Sequence, residues 1–167
     1  MANTRSLYVI DDRVDWEAGA AGAFWGPFIA LTTIGEVTMT SAESMVDNVI
    51  EALDPGERLA ALRVVDHGWR DGLELGDDMV TERSFDRLAP VLAALHGHFA
   101  CGGFVHFIGC HVALKPGLMH RFARLWDVPV YGGTGTTNGY RMNGGDWVEV
   151  RPCGRSARAR RWPRARV

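Results

Sequence analysis

Two side chains in this sequence could do nucleophilic chemistry together: the thiol of Cys110 and the imidazole of His67. A thiol is already partly ionised near neutral pH, and a neighbouring imidazole increases the thiolate share. Attack on an amide carbonyl then needs a proton donor for the leaving amine, and His67 is the candidate. It also needs N–H groups aimed at the developing oxyanion, for which the backbones of Gly68 and Cys110 are the candidates. Each reactive residue adjoins a glycine, in His67-Gly68 and Gly109-Cys110, and glycine lets a backbone come close to a substrate.

Both residues follow apolar runs that read as strands. Gly103 to Ile108 is β-branched and aromatic and ends at Gly109; Leu62 to Asp66 runs into His67-Gly68. As parallel neighbours these strands would bring both side chains to the carboxyl edge of one sheet, where open α/β sheets bind their ligands. The rest of the chain supplies the alternation such a sheet needs. Ser6 to Ile10 reads as a first strand, ending at Asp11-Asp12, whose carboxylates read as turn or cap residues. Residues 13–30 read as a loop with a helical portion, and Ile34 to Met39 as a second strand. Thr40 to Leu53 reads as a helix, with a capping box from Thr40 to Glu43 and an apolar stripe of Met45, Val46, Val49, Ile50 and Leu53.

After His67-Gly68, Asp71-Gly72 signals a hairpin turn, and Leu73-Glu74-Leu75 alternates like a half-exposed strand. A helix is expected over Glu82 to His96, where Pro90 must start a new segment or kink the one it is in. Gly117 to Trp126 is a further helix, Val128 to Tyr131 a strand, Gly132 to Gly145 a glycine-rich loop, and Trp147 to Val150 the strand that closes the sheet. Strands alternating with helices predict a mostly parallel α/β sandwich.

The order of these motifs resembles caspase-like cysteine peptidases. It is closest to a bacterial domain of unknown function in that superfamily, found near the front of large repeat-containing surface proteins. The likeness rests on Val64-Val65-Asp66-His67-Gly68, Gly72-Leu73-Glu74-Leu75-Gly76, Gly109-Cys110-His111-Val112-Ala113 and Val130-Tyr131-Gly132-Gly133-Thr134-Gly135, and spans roughly residues 6–150. The resemblance implies a three-layer sandwich and a His67/Cys110 dyad that works without a metal or organic cofactor. Two positions depart from the family pattern: Asp66 stands where a small residue is usual, and His111 directly follows the nucleophile. Asp66 is therefore a candidate to orient His67, and Trp69, His111, Gly133 and Thr134 are candidates to line a substrate cleft. The expected partner is a peptide or protein substrate. The alternative is a catalytically silent member of the fold that serves as a binding or assembly module.

Composition sets the outer bounds. The 167 residues make one well-buried domain, expected over residues 1–153. No apolar run is long enough for a signal peptide or membrane span, so a cytoplasmic setting is the default expectation. Three cysteines with no metal-ligand spacing argue against a disulfide framework. The net charge of −2 hides an asymmetry, because residues 154–167 hold six arginines and no acid. That stretch is expected to be a solvated, disordered tail. An anchor for nucleic acid or acidic partners is the lesser reading, since only Trp162 interrupts the arginines as a stacking aromatic.

Other chemistries fit less well. Gly132 to Gly139 lacks both a dinucleotide fingerprint and a P-loop lysine. His96, His98, His106 and His111 match no metal spacing, and His106 falls inside a buried strand. A phosphatase loop after Cys110 would need an arginine where Pro116 stands.

Overall fold

The computed structural model describes residues 3–13, 35–138 and 142–159. The stretch expected to form a loop and helical portion after the first strand lies almost wholly outside the described residues, as does the chain beyond residue 159. The elements, in chain order, begin with strands β1 (Thr4–Asp11) and β2 (Gly35–Met39), helix α1 (Ala42–Glu51) and strand β3 (Arg58–Val65). Next come the short strands β4 (Gly68–Trp69), β5 (Gly72–Leu75) and β6 (Asp78–Thr81), helix α2 (Phe85–Leu92) and strand β7 (Phe99–Phe107). Helix α3 (Gly117–Trp126), strand β8 (Val130–Gly133), a small ribbon of β9 (Thr137–Asn138) and β10 (Met142–Asn143), and strands β11 (Trp147–Val150) and β12 (Ser156–Ala159) complete it.

Seven strands form one sheet in the order β12-β11-β8-β7-β3-β1-β2. The five from β8 to β2 are parallel, and β11 and β12 extend that sheet antiparallel at one edge. β4, β5 and β6 make a separate antiparallel sheet, the expected hairpin with one strand more.

The strand sequences explain the burial. Leu7 and Val9 of β1, Leu62 and Val64 of β3, and Val105 and Phe107 of β7 alternate onto the face that joins the helices in one core. Their neighbours Tyr8, Ile10, Val65, Phe104 and His106 point the other way and are buried too. A sheet covered on both faces needs apolar side chains at nearly every position, which is why these strands read as continuous apolar runs. The arrangement fits a three-layer α/β sandwich.

Under the helices the aromatic rings interlock. Phe122 of α3 lies 4.8 Å from Phe107, 4.8 Å from Trp126 and 4.9 Å from Phe85 between ring centroids. The Trp126 indole N–H donates to the Leu92 carbonyl at 2.7 Å and ties α3 to the end of α2. Such pairs add roughly 0.5–1.5 kcal/mol each beyond area burial. Among the described residues no helix is long and apolar enough to cross a membrane.

Several local expectations need correcting. The α1 cap uses Ser41 and Ser44, not Thr40 and Glu43: the Ser44 hydroxyl accepts the Ser41 N–H at 2.9 Å, and the Ser41 hydroxyl accepts the Ser44 N–H at 3.1 Å. α2 is shorter than expected because it starts only at Phe85, runs through Pro90 and tightens into a 3-10 turn at Ala93–Leu95. The missing Pro90 N–H leaves this short helix dependent on its apolar face.

The Arg-rich stretch also begins differently. Its first residues form β12, which pairs antiparallel with β11 from Ser156 opposite Val150 to Ala159 opposite Trp147. The single domain therefore runs past residue 153, and β12, not β11, closes that edge of the sheet. Three small residues and the single charge of Arg158 suit an exposed edge strand whose backbone does the pairing. A chain ending at Gly154 is accordingly expected to melt several degrees lower than the full chain, as about 1 kcal/mol of lost stability would give in a domain of this size. An unchanged melting temperature would show that β12 contributes nothing.

Candidate active site

The register of β3 against β7 decides what meets at the carboxyl edge. Val64 is opposite Phe107, and the Ile108 N–H donates to the Val64 carbonyl at 2.7 Å. Asp66-His67-Gly68 and Gly109-Cys110 therefore leave the sheet side by side. The two backbones then come together. A Cβ on Gly68 would fall 2.5 Å from the Cys110 carbonyl oxygen and 3.1 Å from its nitrogen, and one on Gly109 would fall 2.5 Å from Asp66 Oδ1. The glycines paired with the histidine and the cysteine are thus required by space. Val112 Cγ2 fills the position that either Cβ would crowd, at 2.6 Å for Gly68 and 3.0 Å for Gly109.

Neither reactive side chain is sealed in the core: His67 is exposed and Cys110 half-buried. Their present hydrogen-bond partners are not each other. The Cys110 sulfur accepts the Thr137 N–H at 3.5 Å and faces the Thr137 carbonyl at 3.8 Å. His67 Nε2 lies 3.4 Å from the Arg13 carbonyl oxygen. Thr137 also donates its hydroxyl to the Gly109 carbonyl at 3.1 Å, so the β9–β10 ribbon clamps the Gly109-Cys110 peptide from above.

The candidate cleft residues are partly assembled around this edge. His111 adopts the left-handed conformation (φ 61°), a position that costs a non-glycine residue about 1 kcal/mol or more. The turn is held by its N–H to the Gly135 carbonyl at 2.9 Å and its Nδ1 3.1 Å from the Thr134 carbonyl. The Ala113 N–H donates to the Gly133 carbonyl at 3.0 Å. Gly133, Thr134 and His111 are thereby brought together as one wall, by backbone bonds more than by side chains. Trp69 is half-buried on the other side, packed over Gly72 of the hairpin sheet.

Asp66 differs from its expected role. Its carboxyl is 6% exposed, and neither oxygen meets a hydrogen-bond partner from another described residue, so no orienting bond to His67 is made. Adjacent residues leaving a strand point to opposite sides, which turns the carboxyl inward to Gly109 as the imidazole turns outward. Burial, with the nearby Asp11 and Glu74 carboxylates adding to it, pushes the Asp66 carboxyl well above the usual range.

Arg13, which sequence reasoning passed over, balances that acidic cluster. Its guanidinium pairs with buried Asp11 at 3.2 Å and with Glu74 at 2.7 Å, reaches Asp77 at 3.6 Å and donates to the Gly76 carbonyl. It thus fastens the end of β1 to the hairpin sheet that follows His67. Thr137 was passed over as well. Its signal was position alone, in a small-residue loop after a parallel strand. No group of three or more His, Cys, Asp or Glu able to hold a metal ion occurs among the described residues.

Comparison with known families gives one result. The family model described as Domain of unknown function (DUF4347) matches residues 9–159, and the chain belongs to that family. The match begins inside β1 and ends at the last residue of β12. No curated protein and no solved structure matches the chain.

Asp66 makes a prediction about stability. A carboxyl whose folded pKa lies above its unfolded value of about 3.9 keeps its proton in the fold while the unfolded chain loses it. Stability is then lost as pH rises from the unfolded value through the raised folded value, with a slope approaching ~1.4 kcal/mol per pH unit for the one proton. Asp66→Asn is expected to flatten that stretch of the curve of unfolding free energy against pH. A variant with the wild-type slope would show that Asp66 does not carry the proton.

Proposed function

We propose that this DUF4347 domain is a cysteine peptidase or autoprocessing domain, with Cys110 as the nucleophile and His67 as the general acid and base. The observation that carries the reading is the convergence of two glycine-flanked strand ends, His67-Gly68 and Gly109-Cys110, with the Gly68 backbone against that of Cys110. One substrate carbonyl set there meets the thiolate and, beside it, the N–H groups of Gly68 and Cys110 as oxyanion donors.

The chemistry follows in two halves. The Cys110 thiolate attacks the carbonyl carbon, and the C=O electron pair moves onto oxygen. When the tetrahedral species collapses, the C–N bond breaks and His67 gives its proton to the departing amine, leaving a thioester on Cys110. Water then attacks the thioester while His67 takes its proton; the acid leaves and the thiol is restored. Holding one imidazole near both leaving groups requires movement, because the sulfur now bonds to Thr137 and His67 leans to Arg13. A substrate carbonyl entering over Gly68 would displace the weak sulfur contacts to Thr137. The proposal takes a peptide or protein as the partner and a reducing, cytoplasmic setting in which the three free cysteines stay reduced.

The same observation supports a second reading. A thiol bonded to Thr137 and a histidine turned to Arg13 also suit a catalytically silent member that binds without cleaving. The two readings part on reactivity. Cys101 and Cys153 are exposed and Cys110 is half-buried, so access alone would make Cys110 the slowest to alkylate. The peptidase reading expects the reverse order with a peptide-like electrophile under reducing conditions, read by mass mapping of the labelled cysteine. Labelling of Cys101 and Cys153 ahead of Cys110 would favour the silent module.

Turnover gives a second check. Cys110→Ala is expected to abolish cleavage, and His67→Ala to lower it by roughly a hundred- to ten-thousand-fold, the usual cost of removing a general acid–base group. Both variants should stay folded, because neither side chain packs in the core. Cleavage that survives His67→Ala unchanged would end the dyad mechanism.

A further inference from the structure

The wall beside Cys110 holds a residue whose backbone conformation its own side chain makes costly. His111 takes φ 61°, and among the described residues only Asp127 shares a positive φ without being glycine. Asp127 caps the end of α3, a common place for that conformation. His111 ends no helix. Elsewhere the chain gives such turns to glycine, as at Gly56, Gly76 and Gly97. A glycine at this position would keep both backbone bonds, the N–H to the Gly135 carbonyl at 2.9 Å and the carbonyl from the Leu114 N–H at 3.0 Å, without the strain. What the strain retains is the imidazole.

That imidazole is held by one nitrogen and offers the other. A carbonyl only accepts, so Nδ1, 3.1 Å from the Thr134 carbonyl, carries the proton. In the neutral ring Nε2 is then an acceptor. It bonds to no described residue, and it is open to solvent. The ring lies against Thr134 and the Cys110 sulfur against Thr137, so both side chains face one short stretch of the same loop. The other acceptors there are engaged. The carbonyls of Gly133, Thr134 and Gly135 accept from the Ala113 N–H, His111 Nδ1 and the His111 N–H, and that of Gly109 accepts from the Thr137 hydroxyl. A peptide laid across Gly68 toward Cys110 brings N–H groups as well as carbonyls, and an N–H left without an acceptor at a half-buried wall weakens binding.

We propose that His111 helps to select the ligand: its Nε2 accepts a hydrogen bond from one main-chain N–H of the peptide bound over Gly68 and Cys110. The identity of the ligand as a peptide rests on the peptidase reading. His111 transfers no proton, and His67 stays the general acid and base. The Nδ1 bond to Thr134 fixes the tautomer in which Nε2 is free to accept. A peptide with proline or an ester at the matching position lacks the donor and binds less well.

The test uses the full chain and the rate at which Cys110 is labelled. End-blocked tetrapeptide acyloxymethyl ketones ending in Asp, Arg or Leu are compared under reducing conditions, with mass mapping of the modified cysteine. The fastest sequence is then remade with each main-chain N–H in turn replaced by an ester oxygen. In the wild type one replacement is expected to slow labelling by roughly three- to tenfold, the usual worth of one neutral hydrogen bond. His111→Asn should slow the all-amide probe by a similar factor and make that one replacement cost nothing further. Asparagine tolerates the left-handed conformation and its side-chain N–H can bond the Thr134 carbonyl, so the variant loses Nε2 and should keep its melting temperature. His111→Gly, which removes the strain together with the ring, should give the same result. Wild-type rates indifferent to every replacement, or the same sensitivity in both variants, overturn the assignment and leave the peptidase reading standing. If no probe labels Cys110, the peptidase reading falls and the assignment falls with it.

Discussion

Everything at the candidate site depends on how closely β3 and β7 continue side by side after their last paired residues. Once Val64 is opposite Phe107, the chain must carry two backbones past each other at a separation that admits no Cβ on Gly68 or Gly109. Hydrophobic pairing along the strands sets the register, since slipping either strand by one residue would turn its Val64 or Phe107 away from the helix-packed face and bring Arg63 or His106 onto it. The glycines then turn that register into contact. An alanine at Gly68 would have to push back the Cys110 backbone, and one at Gly109 the end of the buried Asp66 side chain.

That closeness explains the position of Asp66. Gly109 lies directly against its Oδ1, no described donor reaches either oxygen, and Asp11 and Glu74 discourage a third negative charge. Arg13 could have served Asp66, yet its guanidinium is spent on Asp11, Glu74 and Asp77. The arginine offsets the outer part of the acidic cluster and leaves the inner carboxyl with its pKa raised.

How much of this was legible depended on the range of the forces involved. Strand and helix identity came from local apolar patterns, so Gly117–Trp126 and Trp147–Val150 were readable to the residue. The convergence of Gly68 and Gly109 was legible in outline because glycine beside a strand end has few other uses. Arg13 and Thr137 were not legible, because each acts through partners distant in sequence: Glu74 for the arginine, Gly109 and Cys110 for the threonine. The orienting role expected of Asp66 failed for a geometric reason, since a residue one step before His67 points to the other side. β12 was hidden by composition. Arginine and alanine signal solvent, but an edge strand pairs through its backbone and needs little from its side chains.

These long-range ties also determine which parts of the edge can move. His67 sits between a tightly packed strand and a hairpin sheet that Arg13 anchors, so its backbone has little freedom, although its ring is exposed. Cys110 is held differently, by two sulfur contacts to Thr137 at 3.5 and 3.8 Å, the weakest bonds at this edge. The hydroxyl of Thr137 meanwhile grips the Gly109 carbonyl at 3.1 Å. A ligand that draws the sulfur toward His67 therefore gives up little at Cys110 itself, so long as the Gly109 peptide stays clamped. The side chain can swing while the backbone N–H groups of Gly68 and Cys110 keep their places. On the proposed peptidase reading, that division would give fixed oxyanion donors and a mobile nucleophile.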